Sequence, residues 1–206
     1  MHVHSSASYD CGVEPQRVFR RCKQLGLEPM FLTDHDTVIG ANLLKDVAAG
    51  SVVIGQEVST LEGDVVGLFL SREVRPGQTA QETVHQIKDQ GGLIYLPHPM
   101  DPTRASLPPE VIDRVANDID IIEVFNGRSA AEHNREAERL SRDMGALQGA
   151  GSDAHHLNEL GKVYVEIEAF HGPHDFLRKL ARARIVMWPS RLLLRCAATL
   201  HRAGRP

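Results

Sequence analysis

The chain has 206 residues, 42% of them hydrophobic and 24% charged, which is enough for one sizeable core and short for two full domains. No uninterrupted apolar run reaches about 18 residues, and the first residues lack the regions of a signal peptide, so we expect a cytoplasmic protein with no membrane partner. A formal net charge of -4 predicts no general attraction to nucleic acid.

Short apolar runs alternate with amphipathic stretches along the chain, a pattern typical of α/β proteins with parallel strands. In chain order it predicts the end of a strand at 2–4, a helix at 15–24, a strand at 29–32, a helix near 41–48, strands at 52–54 and 64–70, a helix at 79–90, strands at 93–96 and 119–125, a helix at 130–144, strands at 147–150 and 163–167, and a helix at 173–183.

Histidines and carboxylates recur at the points where the apolar strands end. In a closed parallel barrel the carboxyl ends of the strands meet on one face, where active sites are built. Side chains that are far apart in the sequence are therefore expected to converge there. The candidates from position alone are His2, His4, His35, Glu57, His98, Asp153 and His155.

Two pairs of these residues share a spacing that puts both side chains on the same side of an extended strand. His2 and His4 form one pair, and Asp153 and His155 form the other. Each pair could chelate one ion, although an isolated HxH occurs often by chance. His156 points the other way and is expected at the surface or behind the ligands.

The three single residues also have ordinary explanations. Asp36 or Thr37 could cap the following helix, but a cap does not explain His35 at the end of a strand. Glu57 could be a solvated residue, or a carboxylate that bridges two cations. His98 lies between two prolines that restrict its backbone, so its imidazole would be held in one direction.

These donors are imidazoles and carboxylates, a mixture that Zn, Mn and Fe accept. Cys11, Cys22 and Cys196 are widely spaced and form no CxxC pair, which argues against a disulfide framework and against a thiolate zinc site. Divalent ions of Mn, Zn or Fe are therefore the expected cofactors.

The sequence resembles the PHP family, named for polymerase and histidinol phosphatase. The resemblance covers residues 2 to about 168 and implies a distorted seven-stranded (β/α)7 barrel domain at 1–170, followed by a C-terminal helical segment with a basic tail at 171–206. It is carried, in family order, by His2-Val3-His4-Ser5-Ser6, Thr33-Asp34-His35-Asp36, Gly55-Gln56-Glu57-Val58-Ser59, Pro97-His98-Pro99, Glu123-Val124-Phe125-Asn126 and Gly151-Ser152-Asp153-Ala154-His155.

The resemblance also implies a site for two or three metal ions. The implied ligands are His2, His4, Glu57 and Asp153 for a first metal, Glu57 and His98 for a second, and Asp10, His35 and His155 for a third.

The chain departs from the family pattern at three positions. Asn126 stands where some members have a His ligand, and Asp64 stands where relatives often carry His or Glu, so a metal role for Asp64 is open. Family members usually begin with several residues before the HxH pair, whereas here Met1 directly precedes His2.

A phosphate substrate would need positive charge outside the metal ligands. Arg104 and Arg128 follow strand ends on the expected face and offer planar forks for phosphate oxygens, although both could be solvated loop residues. Asn126 is a further candidate for binding substrate. Asp10 and His35 are candidates for carrying the proton to the leaving group, and a metal-bound water is the alternative.

The segment from Arg178 to Pro206 contains no acidic residue and many arginines. A contact with nucleic acid or another anionic surface is one interpretation of this composition. A final amphipathic helix with a frayed basic end is favoured, because stacking aromatic side chains are nearly absent there.

Together these patterns predict a metal-dependent phosphoesterase that hydrolyses a small phosphomonoester or a nucleotide phosphodiester through metal-activated water. The expected partner is a small phosphorylated substrate. One alternative is a non-catalytic, metal-binding PHP-like module that contacts a partner protein. A metal-dependent amidohydrolase is less favoured, because it would need a bridging Lys or its equivalent where Glu57 stands.

Overall fold

The computed structural model describes residues 1–187 apart from 46, 47 and 49, so the predicted basic tail from residue 188 onward lies outside the described part of the chain. The helices are α1 Pro15–Gln24, α2 Ile39–Asn42, α3 Ala80–Lys88, α4 Pro109–Val115, α5 Ala131–Met144 and α6 Gly172–Leu180. The strands are β1 Met30–Leu32, β2 Val52–Ser59, β3 Asp64–Leu68, β4 Leu93–Leu96, β5 Ile121–Asn126, β6 Leu147–Gly151, β7 Val163–Glu166 and β8 Arg184–Met187.

Six of these strands form one sheet in the order β1-β2-β3-β4-β5-β6, curled into a half-barrel, and β7 pairs with β8 in a separate antiparallel ribbon. The parallel arrangement predicted from the sequence is confirmed for β1–β2, β4–β5 and β5–β6. It is wrong for β3, which runs antiparallel to both of its neighbours. The fold is a single α/β domain, and the predicted seven-stranded barrel is not confirmed.

The N-terminal segment occupies the side of the half-barrel between β6 and β1. Val3 forms a single parallel bridge with Ala154, and its backbone carbonyl accepts a hydrogen bond from the Thr33 amide at 2.9 Å. The ammonium group of Met1 donates to the Ala150 carbonyl at 3.0 Å. Within the described residues, this segment makes isolated bonds on both sides rather than a full strand.

Alternate residues of the central strands face two different apolar layers, as the pleat of a strand requires. Ile94 and Ile122 face outward, toward a cluster that includes residues of α3 and α4. Tyr95 and Ile121 face inward and pack with Phe176 of α6. Polar side chains an even number of residues away from the inward-facing ones point into the half-barrel as well. Glu57 lies four residues after Val53, Asp64 lies two before Val66, and Glu123 lies two after Ile121.

The helices follow local signals in the sequence. Thr79 and Glu82 form a capping box at the start of α3, and Gly145, with φ 67°, ends α5 in the left-handed conformation that glycine tolerates best. None of the helices in the described ranges is long and apolar enough to cross a membrane.

Three parts of the chain differ from the predicted elements. α2 begins and ends earlier than the predicted helix at 41–48, and α4 was not predicted. In the C-terminal segment α6 is present, but Arg184–Met187 forms β8 instead of continuing as helix, because it pairs with β7 along its whole length. The domain boundary at residue 170 stays a prediction.

Candidate metal centre

All eight side chains predicted as metal ligands lie around one buried pocket at the edge of the half-barrel. The N-terminal segment carries two of them, and the others come from the loop that follows it, from β2, and from the residues just after β1, β4 and β6. They are His2, His4, Asp10, His35, Glu57, His98, Asp153 and His155.

Glu57 lies at the middle of this pocket and is 1% exposed. Its Oε2 is 2.9 Å from His2 Nε2, 3.2 Å from His4 Nε2 and 3.5 Å from His35 Nδ1. Its Oε1 is 3.0 Å from His98 Nε2. One carboxylate therefore touches four imidazoles through two different oxygens, the arrangement expected of a bridging ligand.

Asp153 closes the pocket from the end of β6. Its Oδ1 is 3.4 Å from His4 Nε2 and 3.8 Å from His2 Nε2, and its Oδ2 contacts the Arg104 guanidinium. Asp153 and His98 both have positive φ angles, 49° and 32°, which are rare for residues with side chains. Such conformations cost about 1–3 kcal/mol each and cluster at functional sites.

Asp10, His35 and His155 form the more exposed side of the pocket. Asp10 Oδ2 is 2.8 Å from His155 Nε2 and 3.4 Å from His35 Nε2. The side chain of Asp10 is 34% exposed, and the Tyr9 ring stacks on His35 with a centroid distance of 4.9 Å. This side of the pocket is the one that solvent can reach.

Within the described residues, three groups of side chains bring their ligand atoms within 4.8 Å of one another. The three groups resemble the three sets implied by the family resemblance, except that Asp153 is absent from the first, Asp64 is added to the second and His4 is added to the third. The groups are His2, His4 and Glu57; Glu57, Asp64 and His98; and His4, Asp10, His35 and His155.

Asp64 joins the pocket because β3 is antiparallel. Asp64 is the first residue of β3 and pairs with Ser59, the last residue of β2, so both lie at the same edge of the sheet. Burial, followed by the negative charge of Glu57, raises the pKa of Asp64 to about 7. A cation between these two carboxylates would relieve that repulsion.

Glu123 of β5 also lies in the pocket; it opens the matching stretch Glu123–Asn126, but the sequence assigned it no role. It is 1% exposed, and its carboxylate accepts hydrogen bonds from His2 Nδ1 at 3.2 Å and from the Tyr95 hydroxyl at 2.8 Å. It also accepts from the His98 backbone amide at 2.8 Å and from Asn126 Nδ2 at 2.9 Å. The signal was its place two residues after Ile121, on the inner face of the strand.

The inner imidazole and carboxylates hold opposite charges. Burial opposes charge on His2, but Glu57 and Glu123 outweigh it and raise the pKa of His2 to about 10. Burial also opposes charge on the carboxylates, yet the neighbouring His2 lowers the pKa of Glu123 to about 2 and that of Glu57 well below its usual range.

The outer imidazoles behave differently. Burial, followed by the charge of His4, lowers the pKa of His155 to about 4, and burial also lowers the pKa of His35. For Asp10, the imidazoles of His155 and His35 outweigh burial and lower its pKa. Neutral imidazoles beside a charged carboxylate are the protonation states that metal binding requires.

Two buried nitrogen atoms in the pocket lack a hydrogen-bond partner, namely His4 Nε2 and His35 Nδ1. Both face the Glu57 carboxylate. An unsatisfied buried polar atom is costly, and a metal ion would satisfy both nitrogens. The donor set, the charges and these two atoms therefore all fit a centre for divalent metal ions.

The predicted substrate-binding residues border the same pocket. The Arg104 side chain is 25% exposed and contacts Asp153, and Arg128 Nη1 lies 2.5 Å from His155 Nδ1. Asn126 is 1% exposed, and its amide donates to Glu123 and, at 3.3 Å, to Asp153. Protein partners already engage that amide, so substrate binding by Asn126 stays a prediction.

The chain is similar to a known protein family and to an archaeal protein. The model of the PHP-associated family matches residues 131–185. An uncharacterized protein of Methanocaldococcus jannaschii is 38% identical over 139 residues, which are 61% of this chain and 80% of that protein. The chain belongs to the PHP family.

Solved structures resemble the fold of this PHP chain at low sequence identity. A two-domain protein from Bacteroides vulgatus, containing a predicted PHP-like metal-dependent phosphoesterase, is 22% identical with a TM-score of 0.62, over 77% of this chain and 52% of that one. A lesion-specific endonuclease from Pyrococcus furiosus is 15% identical with a TM-score of 0.66, over 90% of this chain and 56% of that one. At these identities the likeness concerns the fold.

Proposed function

We propose that this chain is a metal-dependent phosphoesterase that hydrolyses a small phosphomonoester or a nucleotide phosphodiester. The observation that carries the proposal is the meeting of a buried cluster of imidazoles and carboxylates with two arginines at its solvent side, Arg104 and Arg128. The Bacteroides and Pyrococcus proteins are both named for phosphoester chemistry, which supports the same class.

The residues of the pocket would hold two or three ions of Mn, Zn or Fe, with Glu57 as the bridge. When bound, such ions activate water at neutral pH and offset the charge that develops on the phosphoryl oxygens. Hard oxygen donors and imidazole nitrogens, without a thiolate, suit all three metals, so the donor set alone does not choose among them.

The arginines would orient the phosphate against the centre. Arg128 lies beside His155, and its guanidinium offers two parallel N–H donors to one phosphate group. Arg104 contacts a different residue of the pocket, Asp153. A phosphate placed between them would exchange these intramolecular contacts for charge-assisted bonds to its own oxygens.

Asp10 and His35 are the groups proposed to relay a proton from solvent to the leaving oxygen. His35 Nε2 and Asp10 Oδ2 are 3.4 Å apart, and Asp10 is the carboxylate of the pocket with the most access to solvent. A proton could therefore pass between the substrate and water without crossing the buried half of the site.

The direct test is hydrolysis of p-nitrophenyl phosphate and AMP by the full chain loaded with Mn, Zn or Fe. We expect turnover that a chelator removes and that Asp153→Ala abolishes. His155→Ala and His156→Ala form a matched pair, since one imidazole contacts Asp10 and the adjacent one is exposed. Only the first should lose activity. Metal binding without turnover of any phosphoester would contradict the proposal and favour a non-catalytic module.

A further inference from the structure

Glu123 makes four hydrogen bonds that end on two different parts of the metal centre. Its Oε1 accepts from His2 Nδ1 and from the Tyr95 hydroxyl. Its Oε2 accepts from the His98 amide and from Asn126 Nδ2. His2 belongs to one of the candidate metal groups and His98 to another, and the side chain of Glu123 ligates in neither.

We propose that Glu123 is a positioning residue that organises two metal subsites at once, by fixing the tautomer of His2 and the backbone of His98. This inference rests on the proposed metal centre, although it does not depend on which reaction that centre catalyses.

Glu123 fixes the tautomer of the His2 imidazole through the hydrogen bond at Nδ1. When Nδ1–H donates to Glu123, the lone pair of the neutral ring is on Nε2. That nitrogen faces Glu57 at 2.9 Å and Asp153 at 3.8 Å, where the metal would lie. A carboxylate on the far nitrogen of a ligating imidazole fixes its tautomer and orientation and makes it a stronger ligand.

Glu123 also holds the backbone of His98 through the hydrogen bond from its amide. This residue has a φ of 32°, and a side chain is strained in that region. The hydrogen bond from its amide to Glu123 helps to hold the strained conformation, in which His98 Nε2 lies 3.0 Å from Glu57. Without that acceptor, the imidazole would be free to leave the bridging carboxylate.

The hydrogen-bond donors around Glu123 predict that Glu123→Gln weakens metal binding at the two subsites. Glutamine has one side-chain oxygen, so its NH2 group must replace either Oε1 or Oε2. At Oε1 it would face His2 Nδ1 and favour the tautomer with its proton on Nε2. At Oε2 it would face the His98 amide, which can only donate. Either placement damages one subsite, and exchange between them weakens both.

Gly151 supplies an independent test from a neighbouring strand. A Cβ atom at Gly151 would overlap both the His2 Cβ and Glu123 Oε1, so only hydrogen fits beside this pair. Gly151→Ala should therefore push the imidazole and the carboxylate apart without removing either group. We expect it to reproduce the metal-binding defect of Glu123→Gln.

Asp120 offers a matched control. It lies just before β5 and accepts from the Ile94 amide at 2.8 Å and from Lys88 Nζ at 2.8 Å, so it ties β5 to β4 at the opposite end of the strands. Asp120→Asn removes a comparable carboxylate that is remote from the metal centre. It should lower thermal stability and leave metal affinity unchanged.

The experiment is titration of the metal-free chain and its variants with Zn and Mn in competition with a chromogenic chelator. Glu123→Gln and Gly151→Ala should bind about 10- to 100-fold more weakly at two sites, the range typical when a partner of a ligating imidazole is lost. Wild-type affinity and stoichiometry in Glu123→Gln would overturn the inference. Metal binding is the readout, so the inference can fail while phosphoesterase activity stands, and the reverse.

If the variants do not fold, a second measurement tests whether Glu123 fixes the tautomer of His2. In the zinc-loaded wild-type chain, long-range 1H–15N correlations report which nitrogen of His2 carries its proton. We expect the proton on Nδ1, toward Glu123. A proton on Nε2 would overturn the inference.

Discussion

The two halves of the metal centre differ in how far water reaches them. The inner half consists of His2, His4, Glu57, His98, Glu123 and Asp153, and each of these residues is at most 5% exposed. The outer half consists of Asp10, His35, Arg104, Arg128 and His155, and the side chains of Asp10 and Arg104 are 34% and 25% exposed.

This difference assigns different tasks to the two halves. In the inner half nearly every polar atom has a fixed partner, so a lost group leaves a buried charge uncompensated. In the outer half the side chains of Asp10 and Arg104 reach solvent, so water can replace part of the contacts that are lost when either is removed. The inner half is therefore suited to holding metal ions, and the outer half to binding and releasing substrate.

The largest effect is expected at Glu57, which the whole inner half surrounds. Glu57→Gln removes the negative charge between four imidazoles while keeping the volume of the side chain. We expect loss of metal and a fall in kcat/KM of about 1000-fold, the upper end of what loss of one electrostatic group costs. Metal analysis and steady-state kinetics would measure both. Wild-type metal content in this variant would refute the bridging role.

A smaller effect is expected at Asp10 in the outer half. Asp10→Asn leaves the inner ligands in place, so the chain should keep metal there and lose at most the ion held with His35 and His155. We expect a fall in kcat of about 100-fold, the scale of a lost proton-transfer group. Metal counting distinguishes the halves, since complete metal loss in Asp10→Asn would show that they do not bind independently.

A still smaller effect is expected at Arg128, which would touch substrate and no metal. Arg128→Ala should raise KM by about tenfold, the equivalent of one hydrogen bond to a charged group, with metal content unchanged. Arg128→Lys keeps the charge but not the planar fork, so it should recover part of that loss. An unchanged KM in Arg128→Ala would place the phosphate elsewhere.

The most gradual effect is the change of the free energy of unfolding with pH. In the metal-free chain the pKa of His2 is about 10, above its unfolded value of about 6.5, so its contribution to stability is present below that unfolded value and is lost as pH rises toward 10. The pKa of Glu123 is about 2, so its contribution is present above about pH 4.3 and is lost as pH falls toward 2.

Metal binding should stabilise the folded chain more strongly as pH rises, because a ligating imidazole must give up its proton. The difference in Tm between metal-loaded and metal-free chains should therefore grow as pH rises from about 6 to about 8. Thermal unfolding in the presence and absence of Zn measures it. A constant difference across this range would mean that metal does not displace the proton of His2.

Three of the ligands could be predicted from sequence because they follow short apolar strands. His35, His98 and Asp153 come directly after β1, β4 and β6, and parallel strands bring such ends to one edge. Asp64 could not be placed in the same way. It begins an antiparallel strand, and the direction of β3 depends on pairing that the local pattern does not reveal.

The role of Glu123 could not be predicted from the sequence for a different reason. It lies inside β5 rather than at its end, and an acidic residue in a strand has no distinguishing spacing. Its function depends on tertiary contacts with His2 and His98, which are far away in sequence. The seventh strand of the predicted barrel is not confirmed in the described residues, where Val3 makes only one bridge.

The central claim is that one pocket around Glu57 binds the metal ions. It is tested most directly by an anomalous difference map from crystals of the full chain loaded with Mn. The account predicts two or three peaks, with two of them on opposite oxygens of the Glu57 carboxylate. A map with no peak in contact with Glu57, or with peaks only at surface carboxylates, would contradict it.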